Sequence, residues 1–201
     1  MSTGERRVTT LFLADDDENV RRTLREFFTG YPSYKIVGEV YDGAAAVEAC
    51  RRLKPDVALL DIRMPVLDGL GAARLLLGED LVRCVVMLTA FSDQVYIQNA
   101  LDAGAFGYLT KPFDPEKILP TLELCIHQSR EYHLLKKEHQ NLSRRLGERD
   151  AVDRAKLVLM ETKGMGEDEA YQYIRELSKR MCMSMATVSK YLLAKAEEVH
   201  E

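Results

Sequence analysis

Four positions in this chain carry the residue types that phosphoryl transfer needs. Asp15, Asp16 and Asp17 follow one apolar burst, Asp61 closes another, Thr89 closes a third and Lys111 follows a fourth. Carboxylates crowded together repel and raise one another's pKa unless a cation intervenes. Hard oxygen ligands that keep some water suit Mg²⁺, which also binds phosphate oxygens well. Beside a metal and a lysine, a carboxylate is a good phosphoryl acceptor, because both cations neutralise charge on the transferring group. In that chemistry Asp61 is the nucleophile and becomes an aspartyl phosphate. Asp16, with Asp15, holds the metal, Lys111 pairs with the phosphoryl group, and the Thr89 hydroxyl bonds one of its oxygens. Each residue alone has a blander account: three acids after a strand cap a helix, and a lone Asp at a strand end serves a turn. Their co-occurrence at four strand ends favours the chemistry.

Stepping residue by residue, strand-length apolar bursts at 8–14, 36–41, 57–60, 85–88 and 106–109 alternate with helical patterns near 18–30, 44–53, 69–78 and 93–103. A fifth helix starts near Pro115. Most bursts are continuous rather than alternating, as expected of strands covered by helices on both faces. The repeat predicts an open α/β domain, a doubly wound parallel sheet with right-handed crossovers. Such sheets bind ligands beyond the carboxyl ends of their strands, which is where the four acid, hydroxyl and lysine positions fall. The Lys111-Pro112 bond is expected to be cis, aiming the lysine.

After Pro120 only helix is read. Cys125, Gln128, Tyr132, Leu135, His139, Leu142 and Leu146 recur at three- and four-residue spacing, a heptad-like seam weakened by its two polar members. A helix lying against its own domain is the competing account. Three short helices follow, near 149–163, 167–181 and 184–199, with breaks at Gly164 and Gly166 and at Cys182-Met183, and with Ser184 as a cap. The net charge is −4, yet 175–195 holds five bases against one acid, a local patch able to meet phosphates or simply a solvated helix face. The four cysteines form no Cys-x-x-Cys pair, so neither a disulfide framework nor a zinc site is indicated. No membrane span or targeting segment is read, and a cytoplasmic address is expected.

Leu13-Ala14-Asp15-Asp16-Asp17-Glu18, Leu60-Asp61-Ile62-Arg63-Met64-Pro65, Leu88-Thr89-Ala90 and Tyr108-Leu109-Thr110-Lys111-Pro112-Phe113 resemble the signature blocks of two-component receiver domains. The resemblance covers residues 8 to about 122 and implies a flavodoxin-like sheet of strand order 2-1-3-4-5. It also implies phosphorylation of Asp61 by a partner sensor histidine kinase, with only slow autodephosphorylation and no enzyme activity beyond it. It assigns the Arg63 backbone carbonyl to the Mg²⁺ site and Thr89 with Tyr108 to a switch pair. In that switch the Thr89 hydroxyl moves toward the phosphoryl group and the Tyr108 ring fills the space vacated. Bulky Arg63 and Phe91 beside the acceptor are expected to slow hydrolysis by hindering water.

Residues 149–195 resemble the three-helix antitermination module called ANTAR, through Arg154, Ala155, Lys156, Leu159, Met160, Glu169, Ala170, Tyr171, Arg175, Ser178 and Val188. Leu157, Lys179, Cys182 and Ser189 depart from its usual pattern. Regulators of ethanolamine-utilisation operons look most similar within this class. The resemblance implies binding of nascent hairpin leader RNA, for which Ala155, Lys156, Arg175, Ser178, Lys179 and Arg180 are the candidate contacts, while Tyr171 is expected in the core. The domains so read are a receiver at 1–122, a coiled-coil-like linker at 123–148 and an RNA-binding domain at 149–201, with a homodimer formed on phosphorylation. Two rival readings stand beside this one. Residues 184–192 could be the recognition helix of a DNA-binding helix-turn-helix that controls initiation. Asp15-x-Asp17 could be the nucleophile loop of a haloacid-dehalogenase-type phosphatase.

Overall fold

In a computed structural model, residues 7–90 and 94–197 are described, the side chains of 94–97 and 197 excepted. Five strands, β1 (Thr9–Ala14), β2 (Tyr34–Val40), β3 (Val57–Asp61), β4 (Cys84–Thr89) and β5 (Gly107–Thr110), alternate with helices α1 (Glu18–Thr29), α2 (Gly43–Leu53), α3 (Gly69–Gly78) and α4 (Gln94–Asp102). The strands form one parallel sheet in the order β2-β1-β3-β4-β5. Strand periodicity sends alternate side chains to opposite faces. Phe12, Ala58, Leu60, Val85 and Met87 meet Ala46, Cys50, Ala72 and Leu76 on one side. Leu11, Leu13, Leu59, Val86 and Leu88 meet Leu24, Phe28, Ile118 and Leu122 on the other. Both faces are thus covered, which is why the strand sequences do not alternate.

Aspartates start three of these helices. Asp17, Asp42 and Asp68 each accept a backbone N–H from the first turn of α1, α2 and α3. Such caps are worth about 1 kcal/mol each and satisfy donors the helix cannot. The loop from β3 into α3 is tight. Leu67 N–H donates to Pro65 O at 2.7 Å around Val66, which sits at φ 66° with its side chain in water. A Cβ at Gly69 would collide with the Asp61 carbonyl, so only glycine lets α3 start directly behind the acceptor strand.

The chain then continues as a single helix, α5 (Pro115–Lys163), followed by α6 (Glu167–Met181) and α7 (Met185–Glu197). The expected break near 148 does not occur. Gly147 is the one weak point there, and a lone glycine costs a helix only about 1 kcal/mol. The stop falls at Gly164, whose φ of 62° suits glycine, and the next at Cys182, at φ 52°. Ser184 caps α7 by accepting from Thr187 N–H, as expected.

Two compact units divide at Leu134 and Leu135. In the first, Cys125 is buried in the core on one face of the sheet, so the predicted seam cannot begin there. Gln128 and Tyr132 are exposed. In the second unit Leu135, Leu142 and Leu146 are exposed. Its core is small: Ala155 and Leu159 of α5, Ala170 and Ile174 of α6, and Val188 of α7. No helix among the described residues is long and apolar enough to cross a membrane.

Candidate phosphoacceptor site and candidate RNA-binding surface

The acidic residues that follow β1 divide into two roles. Asp17 leaves the cluster to cap α1, so the blander account holds for this one acid. Asp15, Asp16 and Asp61 converge, each offering a carboxylate oxygen within 4.8 Å of the others. The parallel order β1-β3 makes this possible, pairing Ala14 with Leu60 so that both strands end side by side. Asp61 therefore sits beside Asp15 as part of one cluster, which removes the reason to read Asp15-x-Asp17 as a self-sufficient nucleophile loop.

Lys111, immediately after β5, reaches into this cluster. Its ammonium lies 2.6 Å from Asp61 Oδ1 and 2.6 Å from Asp15 Oδ2. Its backbone N–H donates to Thr89 O, and the Lys111-Pro112 peptide is cis. The Arg63 N–H donates to Asp61 Oδ2 at 2.9 Å, leaving the Lys111-facing oxygen on the open side. Asp15 is buried, and burial raises its carboxyl above the ordinary aspartate range, a push that the Lys111 ammonium and the Asp17 amide partly offset. For Lys111, burial acts downward, but its close pairing with the Asp15 and Asp61 carboxylates outweighs it and its pKa is raised.

The residues fit a divalent ion. Asp15 Oδ2 is buried and, among the described residues, is held by the Lys111 ammonium with no aligned hydrogen bond. A carboxylate oxygen has more than one lone pair to offer, and a hard cation would take the remaining one. An all-oxygen donor set with one exposed member, Asp16, suits Mg²⁺, which keeps waters. Thr89 is buried at the end of β4, and Tyr108, opposite Met87 in the β4–β5 register, is 37% exposed. Phe91, the second residue expected to hinder water, lies outside the described residues.

The small helical unit corrects several expectations. Ala155 is fully buried in the core, so its side chain cannot touch RNA. Tyr171, expected in the core, is 42% exposed. It lies one and two turns from Arg175 and Lys179 along α6, and i, i+4 spacing puts all three on one face. Lys156 is held between Asp153 at 3.0 Å and Glu167 at 2.8 Å, bracing α5 against α6. The Ser178 hydroxyl donates to Met183 O and closes the end of α6. Arg175, Lys179 and Arg180 are exposed, with no ion pair to a described carboxylate. The other tyrosine of α6, Tyr173, is half-buried under the Lys163 ammonium, 4.3 Å from its ring centre. Sequence reasoning missed the exposure of Tyr171; its signal is the charged company at i+4 and i+8.

Residues 11–123 match the family described as response regulator receiver domain, and residues 140–193 match the ANTAR domain. The chain is 36% identical over 183 residues to the transcriptional regulatory protein PdtaR of Mycobacterium tuberculosis, covering 91% of this chain and 88% of that one. The receiver domain of the response regulator NarL from the same species superposes with a TM-score of 0.56 at 31% identity, over 59% of this chain and 96% of that chain. The response regulator domain of Thermotoga maritima CheB gives 0.54 at 32%, over 61% and 96%. The segment read as a DNA recognition helix falls within the ANTAR match, and its Ser184 and Thr187 hydroxyls are bonded to each other.

Proposed function

The chain belongs to the response regulator receiver family, with an ANTAR domain behind the receiver, and on that footing we propose a phosphorylation-controlled regulator that binds leader RNA and prevents transcription termination. The observation that carries this reading is the meeting of Asp15, Asp16, Asp61 and Lys111 at one sheet edge. Asp61 accepts the phosphoryl group from the phosphohistidine of a sensor kinase. Lys111 then exchanges one carboxylate partner for a phosphoryl oxygen, at little cost because its ammonium is already in place. Asp15, Asp16 and the Arg63 carbonyl would hold Mg²⁺, which supplies charge neutralisation for the transferring group. Arg63, whose backbone already touches Asp61, screens the acceptor from water and lengthens the life of the phosphorylated form.

The Thr89 hydroxyl turns toward the new phosphoryl group and the Tyr108 ring follows inward, re-shaping the surface around β5. Leu135, Leu142 and Leu146 are then the residues through which two chains pair, and a dimer presents two RNA-binding modules. Two weak sites on one dimer gain affinity on paired hairpins through effective concentration. In each module the exposed Arg175, Lys179 and Arg180 meet phosphates, and Tyr171 offers a ring on which a splayed loop base stacks.

The test is binding of a two-hairpin leader RNA, with mass by light scattering, with and without a small phosphodonor. Phosphorylation is expected to double the mass and tighten RNA binding together, and both effects are expected to vanish in Asp61→Asn. Preference for duplex DNA over the leader RNA, or equal RNA affinity in both states, would overturn the reading.

A further inference from the structure

One half-buried cation stands beside the acidic cluster, and its hydrogen bond and ion pair go to none of the cluster's carboxylates. Arg21, on the second turn of α1, donates from Nη1 to the backbone carbonyl of Asp15 at 2.5 Å. Its side chain is only 16% exposed, and its Nε faces Glu39 Oε2 at 3.9 Å. Glu39, on β2, is itself gripped by Arg25 through two bonds of 2.7 Å, which hold its carboxyl below the ordinary range. We propose that Arg21 is a positioning residue for the divalent-cation site: braced by Glu39, it fixes the backbone of Asp15 so that the Asp15 and Asp16 carboxylates converge before an ion arrives. This rests on reading Asp15, Asp16 and Asp61 as that site.

Asp15 is pinned at every polar group. Its N–H donates to Val40 O, its Oδ1 accepts from Asp17 N–H, and its Oδ2 faces Lys111. Its carbonyl is the remaining group, and Arg21 takes it. That carbonyl belongs to the peptide leading into Asp16, the exposed member of the triad. Without the guanidinium, the peptide plane between two acids is free to rotate, and repulsion between like charges favours rotation that separates them. A planar fork reaching a carbonyl and a carboxylate together is an arginine property; a lysine ammonium on a flexible stem cannot span both. Partners behind the ligands commonly change metal affinity by about ten- to a hundredfold when removed.

A second effect opposes this one. A guanidinium near a dication repels it, so removing the charge alone would tighten metal binding. The two effects separate in a pair of variants. Arg21→Lys keeps the charge and loses the span; Arg21→Met loses both. Titration calorimetry of the full chain with MgCl₂ is expected to show binding weakened about tenfold in Arg21→Lys and at least as much as half of that, on the fold scale, in Arg21→Met. Glu39→Gln is expected to show a smaller loss in the same direction. With a small phosphodonor, the half-saturating Mg²⁺ concentration should rise in Arg21→Lys while the rate at saturating Mg²⁺ stays that of the unaltered chain.

A lowered melting temperature with unchanged Mg²⁺ binding in Arg21→Lys would show a merely structural role and overturn the proposal. Tighter binding in Arg21→Met would also overturn it, since repulsion would then be the dominant effect. If the unaltered chain takes up no Mg²⁺, the reading of the acidic cluster falls with it. If the unaltered chain binds and Asp16→Asn does not, while Arg21→Lys binds normally, only the positioning role falls.

Discussion

The receiver and the small helical domain solve the same problem of burial with different means. In the receiver a sheet is covered on both sides, and the central strands β3 and β4 are buried along their whole length. It can therefore hold a charged cluster at its edge, because the surrounding packing over-determines the positions of Asp15, Asp61 and Lys111. The small domain centres on five buried residues and leaves Leu157, Tyr171, Met181, Met183 and Tyr191 in water. The candidate acceptor site thus lies where the scaffold is thick, and the proposed recognition surface where it is thin.

The largest effect that tests this contrast is at the acceptor. Asp61→Asn is expected to lose all covalent phosphate incorporation from a small phosphodonor, measured by intact mass, while α6 substitutions such as Arg175→Ala leave incorporation at the level of the unaltered chain. Incorporation surviving in Asp61→Asn would move the chemistry elsewhere. Thiol chemistry should divide the regions next. Burial pushes Cys50 up to about 12 and Cys125 up to about 11, and Cys84 upward as well, whereas Cys182 is exposed at the end of α6. A native-state thiol count with a chromogenic disulfide is expected to find Cys182 reacting and the other three silent until denaturant is added.

Core truncation should then show how unequal the two reserves are. Ile174→Ala removes a large side chain from a core of five and is expected to cost about 2–5 kcal/mol. That is enough to unfold the small domain, read as loss of helical circular dichroism, while the receiver retains Mg²⁺ binding. A single transition in which both functions disappear together would show that the regions are not separable. The smallest effect has the opposite sign. The Ser189 hydroxyl is fully buried on α7 with no hydrogen-bond partner among the described residues. Ser189→Ala is expected to stabilise the small domain by about 1 kcal/mol, visible as a raised midpoint in urea.

The same contrast explains what could be read from sequence. The receiver's site residues are tied to strand ends, and apolar bursts mark strand ends plainly, so Asp15, Asp16, Asp61, Thr89 and Lys111 could be placed together before any coordinates. Even the split of the acidic run was half visible, since a cap was one of its two readings, and only geometry assigns that role to Asp17 alone. The tail was harder because its periodicity says which residues share a face but not which face is covered. Ala155 and Tyr171 exchanged their expected environments for that reason, and Lys156 proved to be an internal brace. The continuous α5 was missed because a pattern of two helices and a pattern of one differ only in a stop signal, and Gly147 is too weak to be one.

Val66 carries a consequence for how much stability this chain leaves unused. A β-branched residue in left-handed backbone costs about 1–2 kcal/mol, and this one recovers nothing by packing, since 88% of it faces water. The turn it occupies is kept taut by its neighbours, through the Leu67 carbonyl on Gly43 N–H and the Ile62 carbonyl on Gly69 N–H. Heat tolerance has therefore been surrendered at a spot where a glycine would restore it without disturbing any packed neighbour.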